Sequence, residues 1–188
     1  MISNHDRSNY FGASDTSMVV GNWTTKTFEK FWLEKLGLYK NDFANDYTMA
    51  GTNFEHKILD KLAEKLRIKI EKDKQIISGR LRVNLDGNTN NRIFEVKTHN
   101  LDKEFKISKQ YWRQAQVEMF ASNIHKLFIV SYGLEDKDYI NFYNEVKEER
   151  IVLHNVEYDS DFIEKEYKPK LEYLSKCLEQ GIFPKGDT

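Results

Sequence analysis

An internal disulfide is excluded at the outset, because Cys177 is the chain's single cysteine. It lies in an amphipathic C-terminal segment and reads as a packing residue, which fits a reducing, intracellular setting. A four-cysteine iron–sulfur cluster is excluded on the same count. Long apolar runs are missing too: nothing approaches the roughly 20 residues needed to cross a bilayer, and no signal peptide precedes Asn4-His5-Asp6-Arg7. A soluble protein is expected. There is no basic excess either. Net charge is −1 although nearly a third of the residues are charged, which argues against a histone-like binder that works by bulk positive charge. It leaves room for an enzyme whose acidic site cancels the basic groups around it. Only two prolines occur, and there are no repeats, low-complexity tracts or linkers, so the 188 residues read as one domain, 1–188.

What the chain does contain is centred on residues 81–98. Leu81-Arg82-Val83-Asn84-Leu85-Asp86-Gly87 and Arg92-Ile93-Phe94-Glu95-Val96-Lys97-Thr98 read as two strands joined by an Asn- and Gly-rich turn. Two residues apart on a strand, Glu95 and Lys97 project from one face, and Phe94 and Val96 from the other. Asp86 ends the first strand near the same point. An Asp and a Glu beside a Lys form a site for a hard divalent cation with a cationic group at its side, a combination suited to phosphodiester cleavage. A Glu-x-Lys taken alone is the solvated face of many sheets. The order Asp, turn, apolar residues, Glu-x-Lys, with a further acid upstream, is what marks a site.

In chain order, Gly12-Ala13-Ser14-Asp15 reads as a helix cap, with Arg7 a possible phosphate fork nearby. Phe28, Phe31, Trp32 and Leu36 repeat at helical spacing over 24–36, with Gly37 as the stop. Residues 38–47 show no period and are expected to be a loop over the site. A second helix opens near Met49, carries Phe54, Ile58, Leu59, Leu62 and Leu66, places Glu55 in its first turns, and is expected to lead directly into the strand pair. A third spans 107–122, where Gln114 and Gln116 interrupt the apolar character and require polar partners. Strands are expected at 126–132, 139–143 and 150–156, and a last helix at 160–180 that Pro169 kinks or delays. The sum is an α/β domain with a mixed sheet and helices on both faces.

Gly12-Ala13-Ser14-Asp15, Gly51-Thr52-Asn53-Phe54-Glu55, Leu85-Asp86-Gly87, Glu95-Val96-Lys97 and Gln114-Ala115-Gln116-Val117-Glu118-Met119-Phe120 together resemble the YqaJ-type viral recombinases, the family of phage lambda exonuclease within the PD-(D/E)xK nucleases. The resemblance runs over about residues 7–132 and implies a restriction-endonuclease-like core. It implies that Asp86, Glu95, the backbone carbonyl of Val96 and Glu55 hold Mg²⁺ or Mn²⁺. Lys97 would orient or help deprotonate the attacking water, and Gln116 would support that lysine. Arg7 and Ser14 would grip a 5′-terminal phosphate. The implied activity is 5′→3′ degradation of one strand at linear double-stranded DNA ends. The 3′ tails would feed a single-strand annealing protein, and a homotrimer ring is the implied assembly, in a phage or prophage setting inside a bacterial host. The chain departs from the family in having Val83-Asn84-Leu85 before the metal-binding Asp86, and Thr98-His99 after the lysine. His99 reads as a solvated loop residue. Two alternatives stand beside this reading: a structure-specific or nicking endonuclease on the same fold, and a non-catalytic module that binds DNA ends.

Overall fold

Strand alternation in the centre of the chain sends side chains to both sides of a sheet, and each side is covered. The computed structural model describes residues 8–39 and 46–186. Its elements are α1 (Thr16–Val19), α2 (Lys26–Lys35), α3 (Asp46–Leu66), β1 (Glu71–Ser78), β2 (Leu81–Asn88), β3 (Ile93–Asn100), α4 (Lys109–Ser122), β4 (Leu127–Leu134), β5 (Ile151–Val156) and α5 (Lys168–Glu179). The strands lie in the order β1-β2-β3-β4-β5. All neighbours are antiparallel except β3 and β4, which run parallel with Glu95 opposite Ile129 and Lys97 opposite Ser131. A parallel pair needs a crossover, and α4 supplies it.

The alternation divides the core in two. Leu81, Val83, Leu85, Ile93 and Ile129 pack with Phe11, Phe28, Trp32, Ala115, Met119 and Leu174 on one face. Phe94, Val96, Val130 and Tyr132 pack under Phe54, Ile58, Leu59 and Leu62 of α3 on the other. The expected mixed sheet with helices on both faces is therefore what forms.

Two expectations about the elements need correction. First, α3 does not lead straight into the hairpin, because β1 intervenes. This edge strand is Glu-Lys-Asp-Lys-Gln before it reaches Ile76 and Ile77, and it is mostly exposed. A charged edge blocks sheet-to-sheet pairing but carries no apolar alternation to read. Gly79, at φ 56°, makes the tight turn into β2. Second, residues 139–143 form no strand. Asp138 caps a 3₁₀ turn by accepting from the Glu135 N–H (3.0 Å) and also accepts from Asn144 Nδ2 (2.8 Å), so side chains take over the bonding a ladder would supply. The last helix forms over the expected stretch, residues 160–179, with a π-helical segment, Phe162–Tyr167, just before Pro169. The loop expected at 38–47 falls largely outside the described residues, and its last two members already belong to α3.

At Gly87 the hairpin packs tightly against Leu59 of α3 and Ile70. A Cβ there would lie 2.9 Å from Ile70 Cγ2 and 2.9 Å from Leu59 Cδ2. Gly87→Val is expected to cost about 1–3 kcal/mol through overpacking, which lowers the thermal midpoint by roughly 2–10 °C. An unchanged midpoint in a thermal melt would show that α3 does not press on this strand.

Candidate active site

β2 and β3 pair only at Gly87 with Phe94 and Asn88 with Ile93, and beyond those two pairs the ladder stops. Where it stops, a side chain takes the place of a backbone acceptor: Asp86 Oδ2 accepts the Val96 N–H at 2.8 Å. This holds Asp86 beside the peptide that links Glu95 to Lys97. Lys97 Nζ donates to Glu95 Oε1 at 2.7 Å and to Gln114 Oε1 at 3.2 Å, and lies 5.0 Å from the centre of the Tyr111 ring. Gln114 Nε2 donates to Glu95 Oε1 at 2.6 Å and to Glu118 Oε1 at 2.8 Å. Glu55 faces the group from α3. It lines a cavity of about 300 Å³ together with His56, Asp73, Asn84 and Asp86.

The electrostatics of this cluster are unbalanced. Burial, then the charges of Glu95 and Glu55, push the Asp86 carboxyl well above its ordinary range. Burial and Glu95 do the same to Glu118, and raise Glu55. Burial works against the Lys97 charge, yet Glu95, Asp86 and Glu118 outweigh it and hold the ammonium more firmly protonated than usual. Lys97 is thus a fixed cation here, among more carboxyl groups than it can neutralise.

A divalent ion fits that imbalance. Glu95 is 3 % exposed, and its Oε2 is buried with no hydrogen-bond partner among the described residues. The donors are carboxylate oxygens, the type Mg²⁺ and Mn²⁺ take. The ligand atoms of Glu55, His56 and Asp73 also lie within 4.8 Å of one another. Asp73 sits in β1 with a left-handed φ of 56° and meets His56 Nε2 at 3.0 Å.

The structure thus brings Glu55, Asp86, Glu95, Val96 and Lys97 together. It does not bring Gln116 to them. Gln116 is fully buried, donates to the Glu157 carbonyl (2.8 Å) and accepts from the Asp159 N–H (2.7 Å), tying α4 to the chain after β5. Residues two apart on a helix point about 200° apart, so only one of the two glutamines can reach Lys97, and it is Gln114. Helical phase against the lysine was the signal that distinguishes them. Gln114 and Glu118, four residues apart, form a pair that sequence reasoning passed over.

Ser14 lies in the 3₁₀ turn Ala13–Asp15 and lines a separate depression of about 740 Å³ with Lys26, Lys30 and Gln110. The turn is fixed from below. Asp15 Oδ2 accepts the Gly12 N–H at 2.8 Å and meets Lys35 Nζ at 2.7 Å, with the lysine side chain 1 % exposed. Gln110 precedes Gln114 by one turn of α4, so the depression and the lysine site follow one helix about 6 Å apart along its axis. Arg7 lies outside the described residues. His99 turns its Nδ1 to the Asn100 carbonyl (2.9 Å) and packs its ring 5.3 Å from Phe105.

The raised carboxyl groups have a thermodynamic consequence. An acid whose pKa is higher in the folded state stabilises the fold below its unfolded pKa, about 4, and that contribution is lost as pH rises toward the folded value. The ion-free protein is therefore expected to lose stability from about pH 4 upward, and millimolar Mg²⁺ or Mn²⁺ should restore it at pH 8. Asp86→Asn keeps an acceptor for the Val96 N–H. It should raise the ion-free midpoint at pH 8 and abolish the ion-induced rise. A variant that melts like the parent with and without ion would contradict this account of the site.

Residues 4–125 match the model of the YqaJ-like viral recombinase domain. No curated protein gives a significant match. Among solved structures, an alkaline exonuclease from Laribacter hongkongensis is similar over 93% of this chain and 92% of its own, at 19% identity and TM-score 0.69. A phage-related exonuclease from Haemophilus somnus 129PT is similar over 91% and 94%, at 13% identity and TM-score 0.70. At these identities the likeness is one of fold, the restriction-endonuclease-like fold. The family model covers well over half of the chain, with Glu55, Asp86, Glu95, Lys97, Gln114 and Glu118 all inside the match, and on that ground the protein belongs to the YqaJ-like viral recombinase domain family.

Proposed function

We propose that this chain is a metal-dependent exodeoxyribonuclease that degrades one strand of linear duplex DNA from its 5′ end. The observation that carries the reading is the Lys97–Glu95–Gln114 group beside Asp86 and Glu55, set where β2 and β3 separate. Mg²⁺ or Mn²⁺, held by Asp86, Glu95, the Val96 carbonyl and Glu55, would supply an activated water and offset charge on the reacting phosphate. Lys97, held as a cation by Glu95, Asp86 and Glu118 in the ion-free site, would orient the water and stabilise negative charge on the phosphate. Gln114, not Gln116, keeps the ammonium in place. Hydrolysis joins the water oxygen to phosphorus and breaks the bond to the 3′ oxygen, which leaves a new 5′-phosphate on the shortened strand.

That product matches the second depression. Ser14, with Lys26 and Lys30 lining the same depression, would take the new terminal phosphate, the grip that the sequence also assigns to Arg7, so each cut would prepare the next. The alkaline exonuclease from Laribacter hongkongensis that shares the fold has also been crystallised with dAMP, a mononucleotide. The 3′-tailed product would pass to a single-strand annealing protein. A trimer ring would keep the DNA enclosed, and light scattering at micromolar concentration tests it, since a monomer would count against the ring.

Linear duplex DNA, phosphorylated at one 5′ end and labelled at either end, is the deciding substrate. Ion-dependent loss from the phosphorylated 5′ end is expected, with covalently closed circles left intact. Cutting of circles would favour a nicking or structure-specific endonuclease, and no cleavage with any ion would favour a DNA-end binding module. Lys97→Ala should lower kcat by about 10²–10³-fold while leaving DNA binding largely unchanged. Gln114→Leu should lower kcat with little effect on the thermal midpoint. Gln116→Leu, which removes the side-chain partner of the Glu157 carbonyl and the Asp159 N–H, should lower the midpoint through a cost of about 1–3 kcal/mol.

A further inference from the structure

Glu118 has no place in the mechanism above, and a structural duty alone accounts poorly for it. It is fully buried in the middle of α4, between Val117 and Met119 of the core. Packing in that position would be served by an apolar side chain, without the cost of removing a carboxyl group from water. Its Oε2 is buried without a hydrogen-bond partner among the described residues, so half of the carboxyl's bonding capacity is left unused. Its Oε1 accepts from Gln114 Nε2 at 2.8 Å, on the side of α4 that faces Glu95 and Lys97.

We infer that Glu118 is a positioning residue for Lys97, acting by fixing which way round the Gln114 amide sits. The amide has two N–H groups and one carbonyl. The N–H groups face Glu95 Oε1 (2.6 Å) and Glu118 Oε1 (2.8 Å), and the carbonyl faces Lys97 Nζ (3.2 Å). Turning it over would aim the carbonyl oxygen at two carboxylate oxygens and the NH₂ group at an ammonium, so every contact would become repulsive. Two acceptors on one side and one donor on the other leave a single arrangement.

Glu95 alone does not secure it, because Glu95 Oε1 is shared with Lys97 Nζ and this same residue is a proposed ion ligand. When Glu95 commits its oxygens elsewhere, Glu118 is the acceptor that keeps the amide from turning. The Gln114 carbonyl then stays on Lys97, and the ammonium stays aimed at the reacting phosphate. This inference rests on the nuclease reading for its catalytic effect, and on the geometry alone for the amide lock.

The test compares Glu118→Leu, which removes the acceptor, with Glu118→Gln, which keeps a carbonyl acceptor in the same place. In the linear-duplex assay Glu118→Leu is expected to lower kcat by about 10–100-fold, the scale of a misplaced catalytic group, with KM unchanged. Glu118→Gln should stay within about threefold of the parent, the scale of replacing a charged acceptor by a neutral one. In a Gln114→Leu background Glu118→Leu should have no further effect on kcat, because there is no amide left to fix. Independently of activity, the Gln114 side-chain NH₂ signals in ¹⁵N-resolved spectra should exchange slowly with solvent in the parent and in Glu118→Gln, and rapidly in Glu118→Leu. Slow exchange retained in Glu118→Leu, an equal kcat loss in both variants, full additivity with Gln114→Leu, or failure of Glu118→Leu to fold would each overturn the inference. A parent that shows the amide lock but digests no DNA would sink the nuclease reading and leave the lock standing.

Discussion

The arrangement depends on one hydrogen bond, from the Val96 N–H to Asp86 Oδ2. Two antiparallel strands that part must leave backbone groups without partners, and buried groups of that kind cost stability. Here the carboxylate takes one of the vacant places. By doing so it becomes fixed to the strand that carries Glu95 and Lys97. The side chain that mends the sheet is the same one that creates an acidic site at the break. Gly87, next in sequence, brings α3 close enough for Glu55 to join from the other face.

The site works against the stability of the fold that holds it. Asp86, Glu55 and Glu118 are all disfavoured as anions by burial and by Glu95. Lys97 relieves part of this and becomes a more persistent cation as a result. The rest of the molecule carries that strain through an apolar core on each face of the sheet, together with buried polar ties such as Lys35 to Asp15 and Gln116 to residues 157 and 159. Those ties sit beneath the turn that carries Ser14 and at the middle of α4, the two elements that carry the proposed contacts.

Much of this was legible in the sequence wherever burial repeats with a period. Leu81, Val83 and Leu85 alternate, so β2 and the acid at its end could be read. Phe28, Phe31 and Trp32 recur at helical spacing, so α2 could be read. β1 could not, because an edge strand has solvent on one side and charges to defend it, and its apolar content is confined to Ile76 and Ile77. Residues 139–143 misled in the opposite direction: their aromatic and apolar residues look like a strand, while Asp138, bonded to the Glu135 N–H and to Asn144, bends the backbone through local side-chain bonds. The two glutamines show the limit most clearly. Both interrupt the same helix and both find partners, and only the phase of α4 against β3 decides which one meets the lysine.

The parallel pairing of β3 with β4 has a consequence for how such a site is inherited. Because α4 must cross back over the sheet to join these strands, one continuous strand–strand–helix unit from Asp86 to Glu118 contains the acid, the Glu-x-Lys pair, the glutamine and its buried anchor. Only Glu55 comes from elsewhere. Insertions in the turns around this unit, or replacement of the outer helices, would alter what the protein grips without moving the groups that react. A chain built this way can drift far in sequence and keep its chemistry, provided the short stretch from the strand break to the middle of one helix is passed on whole.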